Sequence, residues 1–378
     1  MKETRKYKQT ELGLLPEDWE VKRIVDIATI TTGSQNTQDK VDGGKYPFYV
    51  RSQNVERIDT YIYDTEGVVT AGDGVGTGKI FHRVRGKFGL HQRCYLMHNL
   101  LGVNVDYFYW IFSIRFYERV MSMTAKSSVD SVRREMIADM LLPIPPIEEQ
   151  RRIASALTSI DNLIDSLDRL IAKKRDIKQG AMQQLLSGKK RLKGFTEPWV
   201  EKRLGNIVDI KRGVRVVKGE LTEDGLFPVF QNTNKPLGYF NRNNVKAGTP
   251  YVIIGGSAGQ IGICERDYWA ADDCAYFDCG DTISNKFLYF LLLFHEREIQ
   301  SNVRSAGVPR LDRKALVDLF VYFPSLPEQQ AIASVLTSMD NELSALEPKR
   351  KKYEQIKQGM MKQLLTGKIR LENASTLH

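Results

Sequence analysis

The sequence predicts an α+β protein built as a pseudo-twofold internal repeat: two mixed α/β domains separated by a pair of long antiparallel helices that form a coiled coil. Three observations predict it. One helix-forming segment is written twice, β-rich runs punctuated by Gly, Asn and Asp precede each copy, and the apolar residues of each copy recur in steps of four and three.

The repeat sets the boundaries. "IKQGAMQQLLSGKKRL" at 177–192 returns as "IKQGMMKQLLTGKIRL" at 356–371, and Ile153-Ala154-Ser155 returns as Ile332-Ala333-Ser334 at the same offset, gap-free from Pro145 to Leu192. Earlier segments echo more faintly: "WEVKRIVDIATITTG" (19–33) resembles "WVEKRLGNIVDIKRG" (199–213), and "YPFYVRSQN" resembles "FPVFQNTN". The chain thus divides into a first domain (1–145), a central long helix (146–192), a second domain (193–324), a C-terminal long helix (325–371) and a tail (372–378).

In the first domain, runs such as "YPFYV" and "GVVTA" read as strands of a mixed sheet and "DYFYWIFSIRFYERVM" as a buried helix. The central helix starts after Pro146 with Glu148-Glu149. Its seam of Ile153, Leu157, Ile160, Ile164, Leu167 and Ile171 has coiled-coil spacing, and it stops at Gly188. The second domain repeats the plan with "YVIIG", "CAYFDC" and "NKFLYFLLLFHEREIQ". Its long helix opens on Ser325 and Glu328, a capping-box pattern, continues through Ile332, Leu336, Met339, Leu343 and Leu346, and stops at Gly367. Pro348 predicts a kink or break in it, because an interior proline costs about 3 kcal/mol. Gly180 and Gly359, each about 1 kcal/mol worse than Ala in a helix, read either as tolerated flexibility or, the reading preferred, as close approach of one helix to another.

Connectivity gives the direction. About forty helical residues span roughly 60 Å, and the short link "KKRLKGFTEP" leads straight into the second domain. A second helix packed on the first must run back, with Leu192 near the start of the second domain and Leu371 near the start of the first.

With 378 residues, 16 Phe, 16 Tyr and 4 Trp, the chain can bury two cores. A net charge of +9 favours a polyanionic partner. No apolar run approaches the roughly 20 residues of a membrane span, and "MKETRKYKQTELG" lacks the apolar core of a secretory signal, so a cytoplasmic protein without a membrane partner is expected. Cys94, Cys264, Cys274 and Cys279 have no disulfide or zinc spacing and read as buried thiols.

Catalytic motifs are missing. "GDGVGTGK" has Asp73 and Ile80 where a phosphate-binding loop needs Gly and Ser or Thr, and Thr77 where a dinucleotide fingerprint needs its third glycine, so it reads as a strand-turn-strand. The scattered histidines supply no metal site. Glu20-Val21-Lys22 lacks the separate upstream acid of a nuclease, and no Asn-Pro-Pro-aromatic motif for adenine methylation is present.

"PIPPIEEQRRIASALTSIDNLI" and "IKQGAMQQLLSGKKRL", their second copies "FPSLPEQQAIASVLTSMDNEL" and "IKQGMMKQLLTGKIRL", and the opening "LPEDWEVKRI" together resemble the specificity subunit of Type I restriction-modification enzymes, over essentially the whole chain. The resemblance implies two target recognition domains, each reading half of a split, asymmetric site on double-stranded DNA. It implies helices that space those domains, two methyltransferase subunits and, in the full complex, restriction subunits as partners. S-adenosylmethionine would be bound by the methyltransferase partner and no cofactor by this chain.

On that reading the DNA-contact candidates are basic and amide side chains, since Arg pairs with guanine and Asn or Gln with adenine through two hydrogen bonds. They are Lys79, His82, Arg83, Arg85, Gln92, Arg93, Lys126, Arg133 and Arg134 in the first domain. In the second they are Lys211, Arg212, Arg215, Asn232, Asn234, Arg304, Arg310 and Arg313. Partner docking is assigned to Gln150, Gln179, Lys189, Arg191, Gln329, Gln358, Lys368 and Arg370. For the four cations, helix-end capping or phosphate contact are the alternatives, and for the four glutamines a helix-helix hydrogen-bond network. The rival reading of the whole chain is a non-enzymatic scaffold holding two binding domains that are not specific for DNA.

Overall fold

A sheet of four antiparallel strands, made from residues far apart in sequence, organises the first part of the chain. The computed structural model describes residues 6–74, 76–123 and 131–371. They fall into two units. Unit 1 takes in the chain up to Leu167 and again from Lys349, and unit 2 is Asp168–Pro348. Each long helix is therefore divided between the units, unlike the sequence-derived division into domains and separate spacers.

In unit 1 the sheet order is Thr29–Thr32, Cys94–His98, Gly67–Ala71, Phe81–Val84. Gly67–Ala71 is buried along its length, so its side chains do not alternate between core and solvent, and its one polar side chain, Thr70, donates to the Ile80 carbonyl. The glycine-rich segment after it closes the hairpin to Phe81–Val84, as the strand-turn-strand reading expects. A second sheet runs Glu56–Ile58, Tyr46–Tyr49, Lys87–Leu90, Tyr63–Asp64, with its middle pair parallel. Against the first sheet lies the helix Val105–Ser122, started by Asn104, whose side chain accepts from the Asp106 and Tyr107 amides. Phe112 of this helix stacks on Phe116 and meets Phe81 edge-on.

Unit 2 repeats the frame. Its main sheet runs Asp209–Arg212, Cys274–Asp278, Pro250–Ile253, Ile261–Ile263, and its second sheet again contains a parallel pair, Phe227–Phe230 with Trp269–Ala270. The apolar helix is shorter, Asn285–Phe294, and a separate helix, Glu296–Ser301, follows it.

The long helices span Ile147–Leu185 and Leu326–Leu364. The core of unit 1 combines Trp19 and Phe108 with Ile153 and Leu157 from the start of the first helix and Leu364 and Leu365 from the end of the second. That of unit 2 combines Phe277 and Phe287 with Ile332 and Leu336 from the start of the second and Leu185 and Leu186 from the end of the first. Each such side chain contributes about 1.5–3 kcal/mol on burial, against about 0–1 kcal/mol for a surface ion pair. Burial therefore holds the helix ends in the units. Leu371 packs against the first core and Leu192 against the second.

Within each unit the two helical stretches run antiparallel. In unit 1 Asp161 pairs with Lys357 and Glu149 with Arg370. In unit 2 Lys178 pairs with Asp340 and Lys174 with Glu342. The lysine of each repeated "IKQG" thus meets the aspartate of the repeated "DN", with an aromatic ring beneath it: Trp110 at 5.0 Å under Lys357, Phe290 at 5.5 Å under Lys178.

Three sequence expectations change. The second helix is not broken at Pro348, although a proline there removes one amide donor. Glu328 forms no capping box, since its carboxylate is taken by Arg191 and Trp199. No atom lies within 4 Å of a Cβ built on Gly180 or Gly359, so neither glycine serves helix contact inside the chain.

Candidate functional site

The repeated Glu-Gln pair at the start of each long helix is where sequence repetition becomes structure. Glu149 is buried. Its Oε2 accepts from Trp19 Nε1 at 3.0 Å and from Arg370 Nη2 at 2.6 Å, and its Oε1 from Arg370 Nε at 2.6 Å. Arg370 also holds Asp18 at 2.8 Å, and its hydrogen bonds keep the Asp18 carboxyl below its usual range. In unit 2 Glu328 accepts from Trp199 Nε1 at 3.1 Å and twice from Arg191 at 2.6 Å. Gln150, also buried, accepts from the Asn104 amide at 2.8 Å and donates to the Pro145 carbonyl at 2.8 Å. Gln329 does the same with the Ser284 amide and the Pro324 carbonyl, both at 3.0 Å.

These contacts correct the docking assignment for the buried Gln150 and Gln329 and give the partly exposed Arg191 and Arg370 an internal partner. Arg191, Arg370, Gln150 and Gln329 tie the helix ends to the units, because a buried carboxylate or amide stripped of its partners is strongly destabilising. Lys189, Lys368, Gln179 and Gln358 are exposed. Gln358 also lines an open groove of about 950 Å³ beside Ile111, Met361 and Leu365.

The DNA-contact candidates of unit 1 separate into two sets. Gln92 and Arg93 occupy the turn before Cys94–His98: Gln92 donates to Asn36 at 2.5 Å and Arg93 to Asp73 at 2.7 Å. Ser131 bridges to Asp73, and Arg133 and Arg134, just beyond it, are exposed. Lys79 is exposed with its ammonium 5.3 Å from the Tyr117 ring centre. Lys126 lies outside the described residues.

His82, Arg83 and Arg85 stand apart. His82 is buried, with Nε2 2.9 Å from the Ser52 carbonyl, and burial lowers its pKa. Arg83 turns inward, donating to Thr158 at 3.1 Å with its guanidinium 4.8 Å from the Tyr109 ring centre. Arg85 pairs with Asp106 at 2.7 Å. His82 and Arg83 belong to the strand Phe81–Val84, whose side chains alternate between half-buried and buried; burial corrects the expectation for His82, while Arg83 keeps a partly exposed side chain.

In unit 2 the equivalent end of the sheet collects Arg212, Asn232, Asn234, Arg304 and Arg310. Arg212 donates to the Asp272 carbonyl at 2.7 Å, Asn234 to the Ile261 carbonyl at 2.8 Å, and Arg310 to Asp273 at 3.3 Å. Arg304 faces Arg310 across a two-residue ladder, and the Asn232 carbonyl accepts from Ser257. Arg215 is exposed, Lys211 pairs with Asp278 at 2.7 Å, and Arg313 reaches the Ile210 carbonyl at 3.5 Å.

The backbone frame is shared while the side chains differ. The Val132 amide donates to the Gly72 carbonyl in unit 1 and the Leu311 amide to the Ile254 carbonyl in unit 2. On that frame the turn before the central strand carries Gln92-Arg93 in one unit and Asp272-Asp273 in the other. Charge pairing is inverted: a turn arginine meets Asp73 of the glycine loop in unit 1, while the turn Asp273 meets Arg310 in unit 2.

Sequence reasoning missed Arg51, Asp73, Asp272 and Asp273. A search for phosphate-binding cations passes over acids, and only the fold brings Arg51 to Asp73, at 2.7 Å. Among the described residues no group of three His, Cys, Asp or Glu is placed to hold a metal ion, and no helix is long and apolar enough to cross a membrane. Burial pushes the Cys94 and Cys279 thiols up to about 12.

The sequence model described as the Type I restriction modification DNA specificity domain matches residues 16–173 and again 196–358. The chain belongs to this family: it is the specificity subunit of a Type I restriction-modification complex, with two target recognition domains, and is not the catalytic component. It is 27% identical to the Type I restriction enzyme MjaVIII specificity subunit of Methanocaldococcus jannaschii, over 95% of each chain. It is 25% identical to the putative MjaX specificity subunit of the same organism, over 97% of each. The crystal structure of the Type I S subunit from M. genitalium shares the fold at a TM-score of 0.74 and 19% identity, covering 92% of this chain and 96% of that one.

Proposed function

We propose that each unit reads one half of a bipartite, asymmetric site on double-stranded DNA and that the paired long helices, acting as an antiparallel coiled coil with pseudo-twofold symmetry, set the spacing between the halves. Two adenine methyltransferase subunits dock on the chain and restriction subunits join through the complex, in the cytoplasm. The methyl donor S-adenosylmethionine is bound in the methyltransferase partner.

One observation carries this reading: the same backbone frame ends in different polar side chains, Gln92 and Arg93 in one unit and Asp272 and Asp273 in the other. A repeated frame positions two duplex contacts alike, and different side chains make the halves differ. Docking of two copies of one partner is supported by the repeated, outward-facing Ile177 and Gly180, and Ile356 and Gly359. An exposed isoleucine beside a helical glycine is unfavourable in an isolated chain and suits a covering surface.

Methylated-base sequencing of DNA from cells expressing the complex tests the reading. Exchanging residues 1–145 for those of a relative is expected to change one half of the methylated motif. A change in both halves together would refute independent reading, and no DNA binding at any salt concentration, with or without the methyltransferase, would favour the rival scaffold.

A further inference from the structure

We infer that Arg51 and Arg93, splinted by Asp73, form a guanine-reading element in unit 1, with Asp73 as the positioning residue; this rests on the DNA-reading role proposed above. Asp73 Oδ1 accepts from Arg51 Nη1 and Oδ2 from Arg93 Nη1, both at 2.7 Å. Exposure grades outward: the Asp73 side chain is 18% exposed, that of Arg51 38% and that of Arg93 59%. The acid is inside and the cations are outside.

Each guanidinium has five N–H donors in a fixed plane. One Nη of each is bound to Asp73, and the remaining side-chain donors of both have no other partner among the described residues. Two guanidinium cations against one carboxylate leave the cluster a net charge of one positive unit, so it does not repel an approaching duplex. Two anchored forks fit the O6 and N7 acceptors of guanine, whereas adenine requires an amide. Arg93 also lines a cleft of about 280 Å³ with Gln92, Tyr95 and Thr32, which leaves room beside the fork for a base edge. Where unit 1 has Gln92-Arg93, unit 2 has Asp272-Asp273, so the letter read through this turn differs between the halves.

The test uses the full chain assembled with its methyltransferase partner, reading methylated motifs genome-wide for wild type, Arg93→Lys, Arg93→Ala and Asp73→Asn. Arg93→Lys keeps the charge a phosphate contact needs and loses the planar fork, and so separates base reading from phosphate binding. The half-motif that depends on residues 1–145 is expected to contain a G·C pair. At that pair all three variants should lose roughly ten-fold or more of their discrimination, with the other half unchanged. Wild-type letter preference in Arg93→Lys would overturn the inference, as would a unit 1 half-motif without G·C, or relaxation by Asp73→Asn at a different position. Unaltered hydrogen exchange in the Asp73→Asn complex shows that the protein is folded. A wild-type complex that methylates no bipartite motif would instead remove the DNA-reading role beneath it.

Discussion

Replacing Arg370 with Ala should destabilise unit 1 far more than a surface arginine would. The Glu149 side chain is 2% exposed, and Arg370 supplies two of its three hydrogen bonds while also holding Asp18. Breaking a buried pair by removing one partner costs about 3–5 kcal/mol. The Arg370 side chain is 21% exposed, so water reaches the vacated space and the expected loss falls to about 2–4 kcal/mol. For a unit of this size that is on the order of 5–15 °C in melting temperature. Scanning calorimetry measures the shift, and hydrogen exchange shows where it acts, with unit 1 peptides losing protection and Asp168–Pro348 keeping theirs. Glu149→Gln combined with Arg370→Ala should be non-additive by about 1–3 kcal/mol, because both act on one pair. A shift under about 2 °C, additive effects, or equal loss of protection in unit 2 would refute this account of the Glu149 node.

Gly180→Ala and Gly359→Ala, at open helical sites, should each stabilise the isolated chain by about 0.5–1 kcal/mol. If the two glycines lie under docked partners, the same variants should weaken binding of the methyltransferase, read by analytical ultracentrifugation; unchanged binding would argue against that surface. The pH response should come from unit 1, where burial lowers the pKa of His82, His91 and His98 from 6.5. These histidines stay neutral in the fold and take protons when it unfolds, so stability is complete above pH 6.5 and declines as pH falls from there through the lowered folded values. Thermal melts from pH 7.5 to 5.5 should show the decline, smaller in His82→Gln; an identical slope in that variant would exclude His82 as a contributor.

The repeat explains how much of this could be read in advance. "IKQG", "DN" and "EQ" occur twice because each names a contact made twice: lysine to aspartate, glutamate to arginine and tryptophan, glutamine to the cap of the apolar helix. Repetition marked these residues without telling structure from docking, since a buried polar side chain and an exposed one use the same letter. Gln150 and Gln329 therefore moved from the expected partner surface into the fold, while Gln179 and Lys368 remained outside.

By itself, the sequence determined the internal repeat, the strand and helix content, the two long helices and the family, because periodicity and recurring motifs are local properties of a chain. The tertiary structure alone decided which polar groups are consumed and which face solvent. His82 is buried against the Ser52 carbonyl, Arg83 reaches Thr158, and Arg51 meets Arg93 only through Asp73, across separate loops. Burial and long-range pairing depend on what packs above each residue, and no local pattern encodes that.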